Sequence, residues 1–421
     1  MLDRKLLRED PERVRDGVKK KFATVDIDRI LELDGEYLAN VQKGDDLRAE
    51  RNARSEEIGR RKRDGEDASD LHAHMKDVSA QIKQIEARNQ EIDTELESLL
   101  LTIPNLPHES VPVGQDESAN VVEREWGNAV SPFEGVLPHY EIGEKLGLID
   151  LDAGRNVSGR GFIVLRGDGA RFNRALINMM IDIHLEQGYE ELVVPYLVHT
   201  DSMTGTGQLP KMIDDMYRAT DDMWLIPTAE VPITNIHRGQ QLKLEDLPIR
   251  YTAYSPCFRR EAGAHGADTR GLLRVHQFDK VEMVRFVHPE HSYEELETLV
   301  TDATAVLEAL ELPYRVVTLA TGDLSFAAAK CYDLEVFSPG VGKWLEVSSC
   351  SNFEDFQARR AGIRLKKSKE TKHRFVHTLN GSGLALPRVI AAILELHQTP
   401  TGRVRIPERL RPYMRGQEYL G

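Results

Sequence analysis

The sequence predicts an α+β protein in two parts, an N-terminal antiparallel helical coiled-coil hairpin followed by a domain built on a mainly antiparallel sheet. Three observations predict this. From Asp26 to about Ser98 there is no proline, glycine is sparse, and Glu, Lys, Arg, Leu and Ala dominate. From Pro104 the stretch PNLPHESVPVGQDESANV ends that pattern with prolines and polar residues. Beyond about Pro132, short apolar or alternating runs such as FIVL, LVVPYLV, VEMVRFV and YRVVTLA outnumber what a regular strand and helix alternation would supply. The 421 residues suffice for two or three domains, and 40% hydrophobic content can fill real cores.

In the hairpin, the second helical half repeats apolar residues at Leu71, Met75, Val78, Ile82, Ile85, Ile92, Leu96, Leu99 and Ile103, with Asn89 as a polar interruption. Spacings of three and four keep such a stripe facing a partner helix, which is the coiled-coil pattern. The first half carries a thinner stripe, Ile27, Ile30, Leu31, Leu38, Val41, Leu47 and Ile58. Between them RRKRDGEDASD, with Gly65, turns the chain back. The expected domains are residues 1–105 and 106–421, with a linker over about 104–130.

Charge narrows the partners. With 29% charged residues and a net charge of -14, general attraction to nucleic acid or to an anionic membrane is not expected. Locally, Arg48, Arg51, Arg54, Arg60, Arg61, Lys62 and Arg63 gather positive charge along the first helix and its tip. One reading is a solvated face laced with Glu and Arg pairs. The other is a nucleic-acid arm that confines phosphate contact to the projection. Cys257, Cys331 and Cys350 lie far apart without a CxxC pair, which argues against a disulfide framework or a cysteine-built zinc site and suits a reducing cytoplasm. The N-terminus lacks an apolar signal core and no run of about eighteen apolar residues occurs, so no export and no membrane partner are expected.

Four clusters in the second domain carry chemistry. Tyr251 to Glu282 reads as two strands joined by a long loop, with Arg259 and Glu261 on one face of the first strand. Arg274, Phe278 and Glu282 share one face of the second. Charges on a hairpin that simply face water are the competing reading. The loop from Ala262 to Gly271 is long for a hairpin and reads as a mobile cover. In PTAE, Thr228 and Glu230 precede a helix opened by Pro232, with helix capping as their alternative role. In WLEVSSCS, Glu346 on a buried-looking strand requires a cation or metal partner. Mg²⁺ shared with substrate phosphates would accept its carboxylate and the Ser349 hydroxyl. These two residues have opposite strand parity, so both reach one ligand only across a bulge. In HTLNGSGLALPR the glycines read as a turn and Pro387 as a first helical turn, which puts Arg388 where a guanidinium and backbone N–H groups can hold phosphate. No GxxxxGK[ST] loop is present, and Gly381-Ser382-Gly383 lacks the third glycine of a dinucleotide fingerprint. Arginines must therefore hold any nucleotide.

These residues match a known pattern. From end to end the chain resembles the bacterial-type seryl-tRNA synthetase family of class II aminoacyl-tRNA synthetases. ARFNRALINMMIDIHLEQGYEELVVP at 170–195 resembles class II motif 1. FRRE at 258–261 with RGLLRVHQFDKVE at 270–282 resembles motif 2, and GSGLALPR at 381–388 resembles motif 3. PTAE and EVSSCSNFEDFQARR are similar to segments of the seryl enzymes.

The resemblance implies a class II catalytic domain with a six- or seven-stranded antiparallel sheet, and a homodimer formed largely through motif 1. It implies activation of serine by ATP and transfer of the seryl group to the 3′ end of tRNA(Ser), with tRNA(Sec) a further candidate. It assigns Arg259, Arg388 and Glu346 to catalysis. ATP falls to Arg259, Arg260, Glu261, Arg274, Val275, Phe278, Glu346, Val347, Ser348, Ser349 and Arg388. Serine falls to Thr228, Ala229, Glu230, Arg259, Glu282 and Ser382, and Mg²⁺ to Glu346 with Ser349. The arm residues Arg48, Arg51, Arg54, Arg60, Arg61 and Arg63 would meet tRNA.

Ser325 and Cys331 depart from the glycine and threonine expected there, though neither falls at an assigned ligand position. Two rivals remain at this level. One is a paralogue that charges a carrier other than tRNA, against which the basic arm argues. The other is a coiled-coil interaction protein with a dead catalytic domain, against which the retention of Arg259, Glu261, Glu346 and Arg388 argues.

Overall fold

The computed structural model describes residues 1–261, 270–366 and 374–421, so residues 262–269 of the expected cover loop lie outside the described residues. Two compact units separate, Met1–Lys19 with Ala23–Pro104, and Lys20–Phe22 with Asn105–Gly421.

The first unit contains the two long helices. Helix α1, Ile27–Asp64, begins where the Asp26 side chain accepts from the Arg29 N–H, and ends at Gly65 in the left-handed region with φ 75°. Helix α2, Ser69–Leu100, returns antiparallel to it. The heptad residues Leu71, Val78, Ile82, Ile92 and Leu96 are buried, as are Ile27, Ile30 and Leu33 at the base of α1. Arg29–Glu95 (2.9 Å), Arg88–Glu36 (2.7 Å) and Arg48–Glu86 (2.8 Å) cross from helix to helix. Such exposed pairs contribute little, so burial supplies the stability while opposite charges select the register.

The second unit is organised on an eight-stranded sheet. Its strands are β1 (Val121–Trp126), β2 (Glu190–Glu191), β3 (Ile249–Phe258), β4 (Gln277–Val287), β5 (Tyr314–Thr318), β6 (Lys330–Ser338), β7 (Lys343–Asn352) and β8 (His377–Ala385). They lie in the order β1-β5-β6-β7-β8-β4-β3-β2, and every neighbouring pair is antiparallel except β2 with β3. Helices α3 (Asp168–Glu186), α4 (Ser292–Ala309) and α5 (Leu386–Leu396) cover one face. Phe172, Leu176, Met180, Leu299, Val306, Val389 and Ile393 from these helices pack on Val281, Met283, Leu334, Val347 and Leu384 of the strands. The opposite side of the strands is left to the polar residues that form the site.

Four expectations require correction. The sheet has eight strands rather than six or seven, because Val121–Trp126 pairs with β5 and Glu190–Glu191 adds a short parallel edge. The segment read as a linker over 104–130 is therefore structured. It contributes β1, and before that strand it is fastened by backbone bonds, Asn105 N–H to Phe326 O (3.0 Å) and Thr321 N–H to Pro112 O (2.9 Å). Its prolines and polar residues mark irregular backbone, not freedom. Gly381 and Gly383 lie inside β8 and make no turn. They are small because a Cβ at Gly381 would meet Cys350 Sγ at 3.0 Å, and one at Gly383 would meet His184 Nε2 at 2.1 Å. Finally, β3 and β4 stop short of Arg259, Glu261 and Arg274, and Glu261 adopts φ 48°. These charges stand at the frayed mouth of the hairpin, not on its regular faces.

The arm's packing is testable at its best-buried contact. Ile92→Ala, at a fully buried position, is expected to destabilise the hairpin by roughly 2–4 kcal/mol. Amide hydrogen exchange checks it: faster exchange along α1 and α2 with the sheet unchanged is the expected outcome.

Candidate active site

Strand alternation builds the site on β4. Phe278, Lys280 and Glu282 share one face, while Asp279 on the other accepts from Asn173 of α3 (2.7 Å) and from the Tyr254 hydroxyl (2.8 Å). Across the ladder Ser382 of β8 stands opposite Glu282, and Asn380, two residues earlier, shares its face. On β7 the pairing skips Val347: Leu334 pairs with Ser348, but Glu335 pairs with Glu346. This is the bulge that the parity of Glu346 and Ser349 required.

At one end of this surface are the arginines. The Arg259 guanidinium lies 5.3 Å from the centre of the Phe278 ring, with Nε donating to Pro227 O at 3.4 Å. Its N–H donates to His276 O (2.9 Å), and that of Arg260 to Asp215 O (2.9 Å). Arg274 pairs with Glu261 at 2.5 Å. Arg388, in the first turn of α5, donates from its guanidinium to the Glu346 carbonyl (2.8 Å) and carboxylate (3.1 Å), and from Nε to Leu273 O (3.3 Å). The partner required for Glu346 is thus Arg388, and its carboxylate is half-exposed rather than buried. Val275 and Val347 are buried, and the buried Ser348 hydroxyl donates to Ser382 O (2.6 Å), which leaves main-chain atoms as their contribution.

At the other end two carboxylates are buried together. Glu230 opens the short helix Glu230–Asn235, with its N–H donating to Thr228 Oγ1 (3.2 Å), while Ala229 is fully buried. Thr228 precedes the N-cap residue Ala229 and accepts the first N–H of the helix, but it does more. Its oxygen also accepts from Lys280 Nζ at 2.8 Å, and Lys280 pairs with Glu282 at 2.6 Å. The Asn380 amide donates to Glu230 (3.1 Å) and to Glu282 (2.9 Å), and Gln357 donates to Glu230 (2.5 Å). Burial and the nearby charge of Glu282 push the Glu230 carboxyl up to about 7, against the opposing pull of Gln357, Lys280 and Arg259.

Lys280, Asn380 and Gln357 were missed by sequence reasoning. Lys280 had a signal, since it lies between Phe278 and Glu282 at the same parity. Asn380 and Gln357 meet Glu230 only through long-range pairing and had none.

The donor set around Glu346 fits a hard cation. Ser349 and Glu346 share a face with Asp333, which pairs with Ser349 in the ladder. Burial and then the charge of Glu346 raise the Asp333 carboxyl well above its usual range, a conflict that a cation would relieve. Among the described residues no cluster of three His, Cys, Asp or Glu ligands forms, so an ion here would retain water or substrate oxygens, as Mg²⁺ does. A cavity of about 360 Å³ adjoins Phe278 and is lined by Leu272, Pro387, Ile390, Asn173 and Asp279. It takes in none of the arginines, and the side-chain geometry locates the chemistry better than the void does.

On α1, Arg48 pairs with Asp45 and Glu86, Arg54 with Glu57, and Arg61 with Glu57 and Asp70. Arg51, Arg60, Lys62 and Arg63 have no carboxylate partner among the described residues. The solvated-pair reading thus accounts for Arg48, Arg54 and Arg61 but not for the other four cations.

Comparison with known proteins decides the family. Residues 1–107 match the model for the seryl-tRNA synthetase N-terminal domain, and residues 212–397 match the tRNA synthetase class II core domain (G, H, P, S and T). The serine–tRNA ligase of Desulfitobacterium hafniense (strain DSM 10664 / DCB-2) is 52% identical over 422 residues, covering 100% of both chains. The chain belongs to the seryl-tRNA synthetase family. The serine–tRNA ligase of Caldicellulosiruptor saccharolyticus is 53% identical over 418 residues, covering 98% of this chain and 99% of that one. Among solved structures, seryl-tRNA synthetase from Pyrococcus horikoshii complexed with ATP superposes with a TM-score of 0.94 at 38% identity, covering 100% and 99%. The cytoplasmic serine–tRNA ligase of Naegleria fowleri in complex with AMP gives 0.89 at 34% identity, covering 100% and 98%. The fold of this chain is that of the seryl-tRNA synthetases.

The buried carboxylate yields a pH prediction. Glu230 has a folded pKa near 7 and an unfolded one near 4.3, so the folded state binds the proton more tightly. Stability then falls as pH rises between these values. Glu230→Gln removes that loss and should gain on the order of 1–3 kcal/mol more at pH 8 than at pH 5. Thermal melts of both proteins at the two pH values check it; an equal effect at both would contradict a raised Glu230.

Proposed function

We propose that this chain is a serine–tRNA ligase that activates serine with ATP and transfers the seryl group to the 3′ end of tRNA(Ser). The observation that carries the reading is the pairing of an arginine-rich ATP end with a buried, hydroxyl-lined anionic end on one sheet face, in a chain 52% identical along its whole length to a named serine–tRNA ligase.

In the first step an oxygen of the serine carboxylate attacks the α-phosphorus of ATP, a new P–O bond forms, and pyrophosphate leaves. Negative charge gathers at the phosphorus. Arg259 holds the α-phosphate and the serine carboxylate, with Arg260 beside it, and Arg274 and Arg388 hold the distal phosphates. Phe278 stacks on adenine, Glu261 takes the adenine edge, and the main chain of Val275, Val347 and Ser348 contributes polar atoms. Glu346 and Ser349 would hold Mg²⁺, which when bound neutralises phosphate charge. No side-chain nucleophile is required, because positioning and preorganised charge supply the rate. In the second step the terminal ribose hydroxyl of tRNA attacks the seryl carbonyl and AMP leaves.

Selectivity follows from the charge count. When Glu230 and Glu282 are both ionised, Lys280 between them leaves one negative charge, which the ammonium of serine neutralises, favouring the ionised Glu230. Lys280 and the Glu230 N–H both donate to Thr228 Oγ1, so the Thr228 hydroxyl proton is free to donate to serine. With Ser382 and Glu282 this makes a polar site for the serine hydroxyl. Such a site rejects alanine by roughly 10⁴–10⁵.

The unpaired Arg51, Arg60, Lys62 and Arg63 support tRNA binding by the arm, with Arg48, Arg54 and Arg61 available only by exchanging carboxylate for phosphate. A homodimer through α3 and residues 190–195 is supported by Val193, 91% exposed, near exposed Leu185 and Leu197. A cytoplasmic location accords with three free cysteines and with the lack, among the described residues, of a helix long and apolar enough to cross a membrane.

The deciding assay is serine-dependent exchange of pyrophosphate into ATP. Exchange should appear with serine and Mg²⁺, fall about 10²–10³-fold in Arg259→Ala, and persist without tRNA charging when residues 30–100 are deleted. Exchange no higher with serine than without it would refute the reading. Sedimentation equilibrium checks the dimer, with twice the chain mass expected.

A further inference from the structure

Three parts of the chain meet on the backbone that follows the motif 2 loop. Gly271 adopts φ 69°, and a Cβ there would lie 2.4 Å from His139 Nε2. The next N–H, of Leu272, donates to that nitrogen at 3.1 Å. An Nε2 that accepts is unprotonated, so the ring carries its proton on Nδ1, where it donates to Glu395 Oε1 at 2.8 Å. Both side chains are fully buried. Glu395 Oε1 also accepts the His139 N–H (2.9 Å), and Oε2 accepts the Gly340 N–H (2.8 Å) and the Ser338 hydroxyl. Burial opposes the charge of Glu395, yet these donors hold its carboxyl below the usual range.

Glu395 lies near the C-terminal end of α5, and Arg388 lies in its first turn. Arg388 Nε takes the carbonyl of Leu273, the residue after the one that His139 holds. One helix thus grips two consecutive residues, directly at Leu273 and through His139 at Leu272. Beyond them the chain carries Arg274 and Val275 to His276, whose carbonyl accepts from Arg259, and then to Phe278.

We propose that His139 is a positioning residue for ATP: its neutral imidazole, oriented by Glu395, fixes the Leu272 backbone and thereby aims Arg274 and Phe278. The proposal rests on the assignment of those two residues to ATP. It distinguishes the two ring nitrogens. An Asn side chain can reproduce the Nδ1–H link to Glu395 but leaves Leu272 without an acceptor, whereas Gln can present an acceptor to Leu272 without the Nδ1 donor.

Pyrophosphate exchange on the full-length protein tests it, with KM measured separately for ATP and serine. His139→Asn should raise the ATP KM about tenfold, the effect of one lost buried hydrogen bond, with the serine KM within about twofold. His139→Gln should keep the ATP KM within about threefold. Gly271→Ala attacks the same contact from the other side and should raise the ATP KM at least about tenfold. The role is overturned by an unchanged ATP KM in His139→Asn, by equal rises for ATP and serine, or by a near-wild-type ATP KM in Gly271→Ala, which decides alone if the His139 variants do not fold. An ATP KM left unchanged in both Arg274→Ala and Phe278→Ala overturns the ATP assignment itself.

Discussion

Two carboxylates buried a short distance apart constrain everything around them. An isolated buried carboxylate is costly, and a like charge nearby raises the cost. Glu230 and Glu282 are tolerated because Lys280, Asn380 and Gln357 form a connected set of donors around them, with Lys280 also held by the Thr228 oxygen that accepts from it. The set comes from β4, β8, the helix Phe356–Ala361 and the loop before Glu230, so it exists only once the sheet has its register. A slip of one residue in β4 would turn Lys280 and Glu282 into the apolar core under α3. The same register that satisfies the carboxylates therefore also fixes Phe278 beside Arg259.

Much of this was legible in the sequence where the physical signal is local. The heptad stripe of α2 and the need for a bulge between Glu346 and Ser349 both follow from periodicity, which a sequence carries directly. The failures have a common cause in tertiary context. Gly381 and Gly383 read as a turn because glycine usually buys backbone freedom, but here it makes room for Cys350 and His184 from other elements. Arg259 and Arg274 read as strand residues because nothing local announces where a hairpin's ladder stops. Residues 104–130 read as a linker because prolines were taken for freedom, although Asn105 and Thr321 bond that backbone in place. His139, Asn380 and Gln357 are invisible at sequence level because their partners in the site lie 98 residues or more away along the chain.

The two ends of the site solve opposite electrostatic problems. At the proposed serine end, charge is buried and, with both carboxylates ionised, short by one cation, which an ammonium would supply. At the proposed ATP end, Arg274 and Arg388 are paired with Glu261 and Glu346 on partly exposed surface, where each pair contributes little. Such pairs can be exchanged for phosphate at small cost, whereas the buried set cannot rearrange without exposing a carboxylate to an apolar surround. Rigidity at the amino-acid end and exchangeability at the nucleotide end are what a reaction needs when the smaller substrate must be discriminated and the larger one must leave as pyrophosphate and AMP.

Helix α5 links the two regimes. Its first turn carries Arg388 to the exchangeable end, while its last turn carries Glu395, buried and fully bonded. A guanidinium on a half-exposed surface ordinarily samples several rotamers, and so does a segment emerging from a long loop. Both become ordered when they share a rigid element, because the entropy of fixing them is paid once in folding the helix onto the sheet. The backbone of Leu272 and Leu273 is the point where that order passes from the core to the residues that would meet ATP. The precision of the exchangeable end then derives from a buried histidine and carboxylate that never touch the substrate.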